Sequence, residues 1–144
     1  MYGAFTSARF PRAHLDPIVT SHSAQLLLDR LIDLPHRHET LAVLLDGERR
    51  GVSIIAVGNT VDHDAVLDVA ELVTESVRWS VDVDGVILAS VRPGAGDELD
   101  DLERWAELSL RFDEAALELV EWYVIGNGVS CPRALLGEPP RWTL

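Results

Sequence analysis

Histidines two positions apart are the first residues in this chain whose spacing could support chemistry. His36 and His38 flank Arg37 just ahead of an apolar run, and His63 lies further along the chain. Alternate residues of an extended strand share a face, so these two imidazoles could approach one metal ion, with His63 as a third ligand. Short histidine motifs also arise by chance, and we favour the interpretation that this segment is a polar loop between a helix and a strand.

Two further patterns are weaker candidates for a reactive site. Cys131 is the only cysteine and follows Ser130 with no histidine nearby, so we interpret it as a small buried hydrophobe and exclude a disulfide or a thiolate zinc cage within the chain. The glycines at 94–96 precede a helix as a phosphate-binding loop does, but four carboxylates follow at 97–101 and would repel phosphate. Those carboxylates are typical of a helix start, where they compensate the helix dipole.

The charge and hydropathy of the chain exclude several classes of partner. Its 144 residues fit one domain, and 24 acidic against 12 basic residues give a formal net charge of -12, which would repel nucleic acid. The longest apolar runs, at 41–45 and 86–89, are too short to span a bilayer, and the N-terminus lacks the residue order of a signal peptide. We therefore expect a cytoplasmic protein without direct contact to nucleic acid or membrane.

Hydrophobic periodicity predicts the element order α-β-β-α-β-α-β with one further edge strand. A hairpin followed by a helix, a buried strand and a second helix indicates a mixed sheet flanked by helices, in two or three layers. Around a domain at 21–131 we expect an N-terminal arm at 1–20, outside the core, and a C-terminal tail at 132–144. The predicted elements are a helix capped by Ser21 or Ser23 and running to about Leu34, strands at 39–45 and 52–57, a helix capped by Asp62 or Asp64 and running to about Trp79, a strand at 85–89, a helix from Asp97 to about Phe112, a strand at 117–125 and an edge strand at 129–131.

Apolar residues at helical spacing predict the buried faces of the second and third helices. In the tail, Trp142 follows Arg141, and an exposed Trp–Arg pair is typical of an interface anchor; docking of this segment on its own domain is the alternative. The predicted buried faces are Val66, Val69, Ala70, Val73 and Val77 on the second helix and Leu99, Leu102, Trp105 and Leu108 on the third.

Four segments carry a family resemblance through their order and spacing. They are the strand at 38–46 with Glu39 before its apolar run, the break at 58–62, the strand at 86–89 followed by Pro93, and the strand at 121–126 with Ser130 after it. Together they resemble the JAB/MPN domain of the RadC family over roughly residues 21–131. The resemblance implies an α/β fold of JAB/MPN (cytidine-deaminase-like) architecture.

The resemblance also implies where a zinc centre would lie. Two histidines and an aspartate hold Zn²⁺ in such sites, a glutamate on the opening strand acts as general base, and a serine helps to hold the oxyanion. The family's spacing falls here on Ser90, Arg92, Asp100 and Glu103, with Glu39 at the position of the general base. A guanidinium has no lone pair and repels a cation. We therefore expect zinc to be lost and Arg92 to form an internal ion pair with Glu103, Asp100 or Glu39.

Two further positions depart from the family pattern or have an alternative role. The Asp-His pair of the family becomes Glu121-Trp122, which removes another imidazole. For Glu39 we favour a structural carboxylate paired with Arg37 or Arg92 over a general base. If the ion pair of Arg92 is buried, we expect Arg92→Ala to cost about 1–4 kcal/mol.

These residues predict a catalytically inactive JAB/MPN-fold protein that acts as an interaction or scaffold module. Its partner would be another protein or a second copy, since the resemblance implies a homodimer, and it would need no cofactor. The alternative is a metal-dependent hydrolase, similar to JAMM peptidases, with a rearranged site that uses Glu39, Asp100 and Glu103, with His36 or His38 as further ligands. A role in DNA transactions, by analogy with the family name, is opposed by the net charge of -12.

Overall fold

A five-stranded mixed sheet with helices on both faces forms the centre of the computed structural model, which describes residues 11–80 and 82–142. This confirms the predicted mixed sheet flanked by helices. None of the helices in the described ranges is long and apolar enough to cross a bilayer. In chain order the elements are α1 (Ser21–Leu31), β1 (Glu39–Leu45), β2 (Gly51–Gly58), α2 (Ala65–Val77), β3 (Gly85–Val91), α3 (Asp100–Glu114), β4 (Glu118–Ile125), β5 (Val129–Ser130) and α4 (Pro132–Leu136).

The strands follow the order β2-β1-β3-β4-β5 across the sheet. β1 runs antiparallel to both β2 and β3, β3 and β4 are parallel, and β5 turns back antiparallel to β4. Every residue of β3 is buried, as predicted for a central, wholly apolar strand. The parallel pair ends side by side at Val91 and Ile125, so the loops after β3 and β4 meet at one edge of the sheet.

One face of the sheet is covered by α2 and α3. The buried residues of α2 are the five that its periodicity predicts, and Trp105 of α3 is fully buried, as expected for a core residue. Phe112 and Leu108 of α3 join them against strand residues such as Leu88 and Trp122. This face holds the larger part of the apolar core, because two amphipathic helices pack on it side by side.

The opposite face is covered by α1 together with segments from both ends of the chain. Ala24 and Leu28 of α1 are buried there, with Ile18 from the segment before the helix and Trp142 from the segment after α4. Ile18 is only 1% exposed, so the expectation that 1–20 lies outside the core is wrong at this residue. Residues 1–10 of that expected arm lie outside the described residues.

The helix boundaries differ from the predicted ones by up to three residues. Thr20, and neither Ser21 nor Ser23, caps α1, because its hydroxyl accepts the Ser23 backbone N–H at 3.1 Å. The helix ends at Leu31 and not at Leu34, and α2 ends at Val77 and not at Trp79. α3 begins at Asp100 instead of Asp97 and ends at Glu114, and Leu99, predicted on its buried face, is 81% exposed.

Candidate functional site

Polar side chains meet where β3 and β4 end, on the face that α2 and α3 cover. Ser90 and Arg92 are two residues apart and share this face, and Trp122 lies on it in the neighbouring strand. The Trp122 indole Nε1 donates a hydrogen bond to Ser90 Oγ at 2.9 Å. The guanidinium carbon of Arg92 lies 5.9 Å from the centroid of the same ring. Ser90 and Arg92, both singled out from the sequence, are therefore neighbours, and Trp122 lies beside them.

Arg92 forms a bidentate ion pair with Asp101 of α3. Nη1 donates to Oδ2 and Nη2 donates to Oδ1, both at 2.8 Å. Arg92 is 2% exposed and Asp101 is 0% exposed, so the two charges are fully removed from solvent. Nη1 also donates to the backbone carbonyl of Gly96 at 3.2 Å. This is the paired geometry that makes a guanidinium–carboxylate contact strong and specific.

The internal ion pair was expected from the sequence, but its predicted partners are wrong. The buried residues of α3 recur at Asp101, Trp105, Leu108 and Phe112, which places Asp101 on the helix face toward the sheet. Asp100 and Glu103 lie on other sides of the helix and are exposed. The signal that could have identified Asp101 is its spacing of four residues from Trp105, a residue of the predicted core face.

Asp101 has two more partners besides Arg92. Its carboxylate accepts the backbone N–H of Glu98 at 2.8 Å and a hydrogen bond from Arg104 Nη1 at 2.9 Å. Burial by itself would raise the pKa of Asp101, but the hydrogen bonds from Arg92 and from the Glu98 backbone outweigh it, and the net pKa is lowered. The carboxylate is therefore held in its charged form.

Arg104 extends this network to the start of α2. Its side chain contacts Asp64 at 2.8 Å and Glu98 at 2.6 Å in addition to Asp101. Burial opposes the charge, yet these three carboxylates together raise the pKa of Arg104. His63 Nδ1 lies 2.7 Å from Glu98 Oε1, and this contact, followed by that of Arg104, lowers the pKa of Glu98. Arg104 was not identified from the sequence.

The histidines proposed as metal ligands do not form a cluster. His63 contacts Glu98, whereas His36 and His38 precede β1. Nδ1 of His38 is buried and has no hydrogen-bond partner among residues 11–80 and 82–142. Over those same residues, no group of three or more His, Cys, Asp or Glu side chains is arranged to hold a metal ion.

Of the three carboxylates expected in a rearranged hydrolase site, two line the same groove and the third does not. Asp100 and Glu103 line an open groove of about 420 Å³ between α2 and α3, with Glu107 and Asp64. Glu39 is half-buried at the start of β1 and does not line that groove. The expected pairing of Glu39 with Arg37 or Arg92 is wrong, because Arg37 contacts Asp33 at 3.5 Å and Arg92 contacts Asp101.

A second buried ion pair lies on the other face of the sheet. Glu121 is 1% exposed and accepts a hydrogen bond from Arg133 Nε at 2.9 Å. The strand pairing of β3 with β4 shifts at Glu121, which turns this residue toward the α1 face. Burial raises the pKa of Glu121, and Arg133 only partly opposes it. Burial also raises the pKa of the nearby Cys131 thiol to about 12, although Cys131 is half-buried and not the fully buried residue expected from the sequence.

The C-terminal segment docks on its own domain, which is the second of the two alternatives considered for it. Trp142 is 8% exposed and belongs to the core under α1. The Arg141 guanidinium carbon lies 4.6 Å from the centroid of the Trp105 ring, and Nη1 donates to the Leu119 carbonyl at 3.0 Å. Glu138 accepts hydrogen bonds from Trp105 Nε1 and from Arg141, both at 3.0 Å. Trp142 is therefore buried and the partly exposed Arg141 is held against the domain, so the two do not form an exposed interface anchor.

The polar cluster at the ends of β3 and β4 is closed to ligands. Ser90 is 6% exposed, and Arg92, Asp101 and Trp122 are each 2% exposed or less. Every charge in it has a partner, so the arrangement fixes structure and offers neither an accessible nucleophile nor an open coordination position. Comparison with protein-family models and with curated protein sequences finds no match to this chain.

Proposed function

We propose that this protein is a catalytically inactive interaction module in which a guanidinium–carboxylate pair takes the place of a zinc centre. We also propose that its α/β architecture is of the JAB/MPN type. The order of helices and strands is the one on which that resemblance rests, and a mixed sheet of five strands is compatible with it. Proteins of one fold host many functions, so the functional part of the proposal rests on the site alone.

The observation that carries the proposal is the buried pair of Arg92 and Asp101. A zinc ion at this end of β3 would need lone pairs from nearby side chains. The side chain at position 92 instead carries a permanent positive charge, and both of its terminal nitrogens are used by Asp101. Trp122 and Ser90 are joined by their own hydrogen bond. The polar groups of these side chains thus already have hydrogen-bond or ion-pair partners among themselves.

The experiment that tests the proposal is a zinc measurement on protein purified without chelators. We expect far less than one zinc per chain, both as purified and after incubation with excess zinc followed by desalting. A matched variant, Ser90→His/Arg92→His, restores two imidazoles on one strand face with Asp101 as a carboxylate beside them. We expect this variant to retain zinc after desalting and to melt at a higher temperature with zinc than without it.

Stoichiometric zinc in the unaltered protein would contradict the proposal. It would favour a metal-dependent hydrolase, and the next measurement would then be peptidase activity with and without a chelator. If the double-histidine variant fails to fold, the result for the unaltered chain still decides the question, because the measurement on that chain does not depend on the variant.

A further inference from the structure

We propose that the edge of β2, which is unpaired over residues 53–58 in the described part of the chain, pairs antiparallel with the same strand of a second copy, so that two sheets join into one. This inference deepens the proposed function, because it names the partner of the interaction module as the chain itself. It rests on the pairing of the sheet edges, on the exposure of β2 and on the distribution of charge along the chain.

The two edges of the sheet differ in how they are covered. At the β5 edge the strand has only two residues, and the segment after it contacts the outer side of β4, where Arg141 donates to the Leu119 carbonyl at 3.0 Å. β2 has eight residues, and among the described residues the backbone pairing on its outer side lies at its beginning. There His14 N–H donates to the Gly51 carbonyl at 2.9 Å, and Pro17 forms a bridge with Arg50. Residues 53–58 pair regularly with β1 on the inner side alone.

The exposed part of β2 lacks the features that protect a sheet edge. Edge strands are usually shielded by charged residues, proline or a bulge. The pairing irregularity of β2 lies before residue 53, and 53–58 contains neither proline nor a charged residue. Ile54 is 45% exposed at a small hollow that it lines with Pro11 and with Leu27 of α1, and Ala56, two residues further along the same strand face, is exposed. A strand with unpaired backbone groups and apolar side chains is a template for another strand.

The charge distribution favours a second copy in antiparallel orientation. Charged residues make up 25% of the chain, yet 51–61 contains no Asp, Glu, Arg or His. Two copies that each carry a net charge of -12 repel one another, and this uncharged stretch allows close approach at the lowest electrostatic cost. The stretch leads into Asp62 and Asp64 at the start of α2. Antiparallel pairing keeps the acidic starts of the two α2 helices at opposite ends of the strand–strand interface, whereas parallel pairing would bring them together.

The experiment compares the mass of the protein in solution with that of two matched variants by sedimentation velocity. We expect the unaltered chain to sediment, with rising concentration, at about twice its single-chain mass of 15.9 kDa. Ile54→Lys/Ala56→Lys places two charges on each copy's β2, and we expect it to raise the dimer dissociation constant at least about tenfold. The control Leu99→Lys/Leu110→Lys changes two other exposed apolar residues and shifts the net charge equally, and we expect it to dimerise as the unaltered chain does or more tightly.

Hydrogen exchange provides a second measurement that needs no variant. The amides of 53–58 should exchange more slowly at high protein concentration than at low concentration, while those of β5 should be unaffected. An unaltered chain that stays monomeric up to high micromolar concentration would overturn the inference, and so would a β2 variant that dimerises as well as the control. A dimer that contains zinc would contradict the proposed function alone, and a zinc-free monomer would contradict only the pairing through β2.

Discussion

Removal of the Arg92 guanidinium is the most direct test of the closed polar cluster. In Arg92→Ala, Asp101 loses two hydrogen bonds of 2.8 Å while it stays fully buried. Breaking a buried pair by removing one partner costs roughly 3–5 kcal/mol. Asp101 keeps its contacts to Arg104 and to the Glu98 backbone N–H, which offsets about 1 kcal/mol of that loss. We therefore expect the free energy of unfolding to fall by about 2–4 kcal/mol.

Urea unfolding followed by tryptophan fluorescence measures this loss, since Trp122 lies beside Arg92. The control is Arg37→Ala, because Arg37 is 70% exposed in its pair with Asp33 and its loss should cost less than about 1 kcal/mol. We expect Arg92→Met/Asp101→Leu, which removes both charges, to lose less stability than Arg92→Ala. If Arg92→Ala unfolds at the same urea concentration as Arg37→Ala, the buried pair does not contribute as argued.

Three further predictions concern the other face of the sheet. Trp142→Ala should lower the free energy of unfolding by about 3–5 kcal/mol, whereas Trp79→Ala, at a residue that is 89% exposed, should leave it almost unchanged; equal losses in urea unfolding would contradict the docking of the C-terminal segment. With its pKa raised to about 12, Cys131 should react with a thiol reagent at least about a hundredfold more slowly in the folded protein than in denaturant, and equal rates would refute this. Because the pKa of Glu121 is raised on folding, its contribution to stability is present below about pH 4 and is lost as the pH rises through the folded pKa. The melting temperature of Glu121→Gln, relative to that of the unaltered protein, should therefore rise with pH. A fall with pH would contradict the direction of the pKa shift.

The sheet could be predicted from the sequence because its strands are marked by local patterns. β1 and β3 are short apolar runs between turn signals, and β2 follows β1 at hairpin spacing. The buried face of α2 was predicted residue by residue, since valine and alanine recur there with helical periodicity. In each of these elements one pattern dominates the segment, so local residue types decide the structure.

The helix ends and the C-terminal segment could not be predicted in the same way. The acidic run from Asp97 to Asp101 is compatible with a helix start at several residues, and the tertiary contact of Asp101 with Arg92 selects the register. The segment after residue 131 has no periodicity of its own. Its position depends on the contact of Arg141 with Trp105 and on the ion pair of Arg133 with Glu121. These partners are far apart in sequence, so no local pattern predicts them.

The candidate site was likewise predictable in part. The resemblance implied a buried position for Arg92, and residue chemistry then predicted a carboxylate partner, because a buried guanidinium without a partner is too costly to retain. The identity of that carboxylate depended on which of several acidic residues on α3 faces the sheet, and that choice is made by packing of Trp105 and Leu108. The type of interaction was therefore predictable while the pairing was not.

The network that contains the pair links elements as a structural metal would. Arg92 joins the end of β3 to α3 through Asp101, and Arg104 continues from Asp101 to Asp64 at the start of α2. A structural zinc ion stabilises a fold in the same sense, because its ligands come from elements that are separate in sequence. Ion pairs can cross-link such elements as a structural metal does, but they cannot activate a water molecule. The proposal of an inactive module requires a cross-link of this kind between β3, α3 and α2 without a metal-activated water.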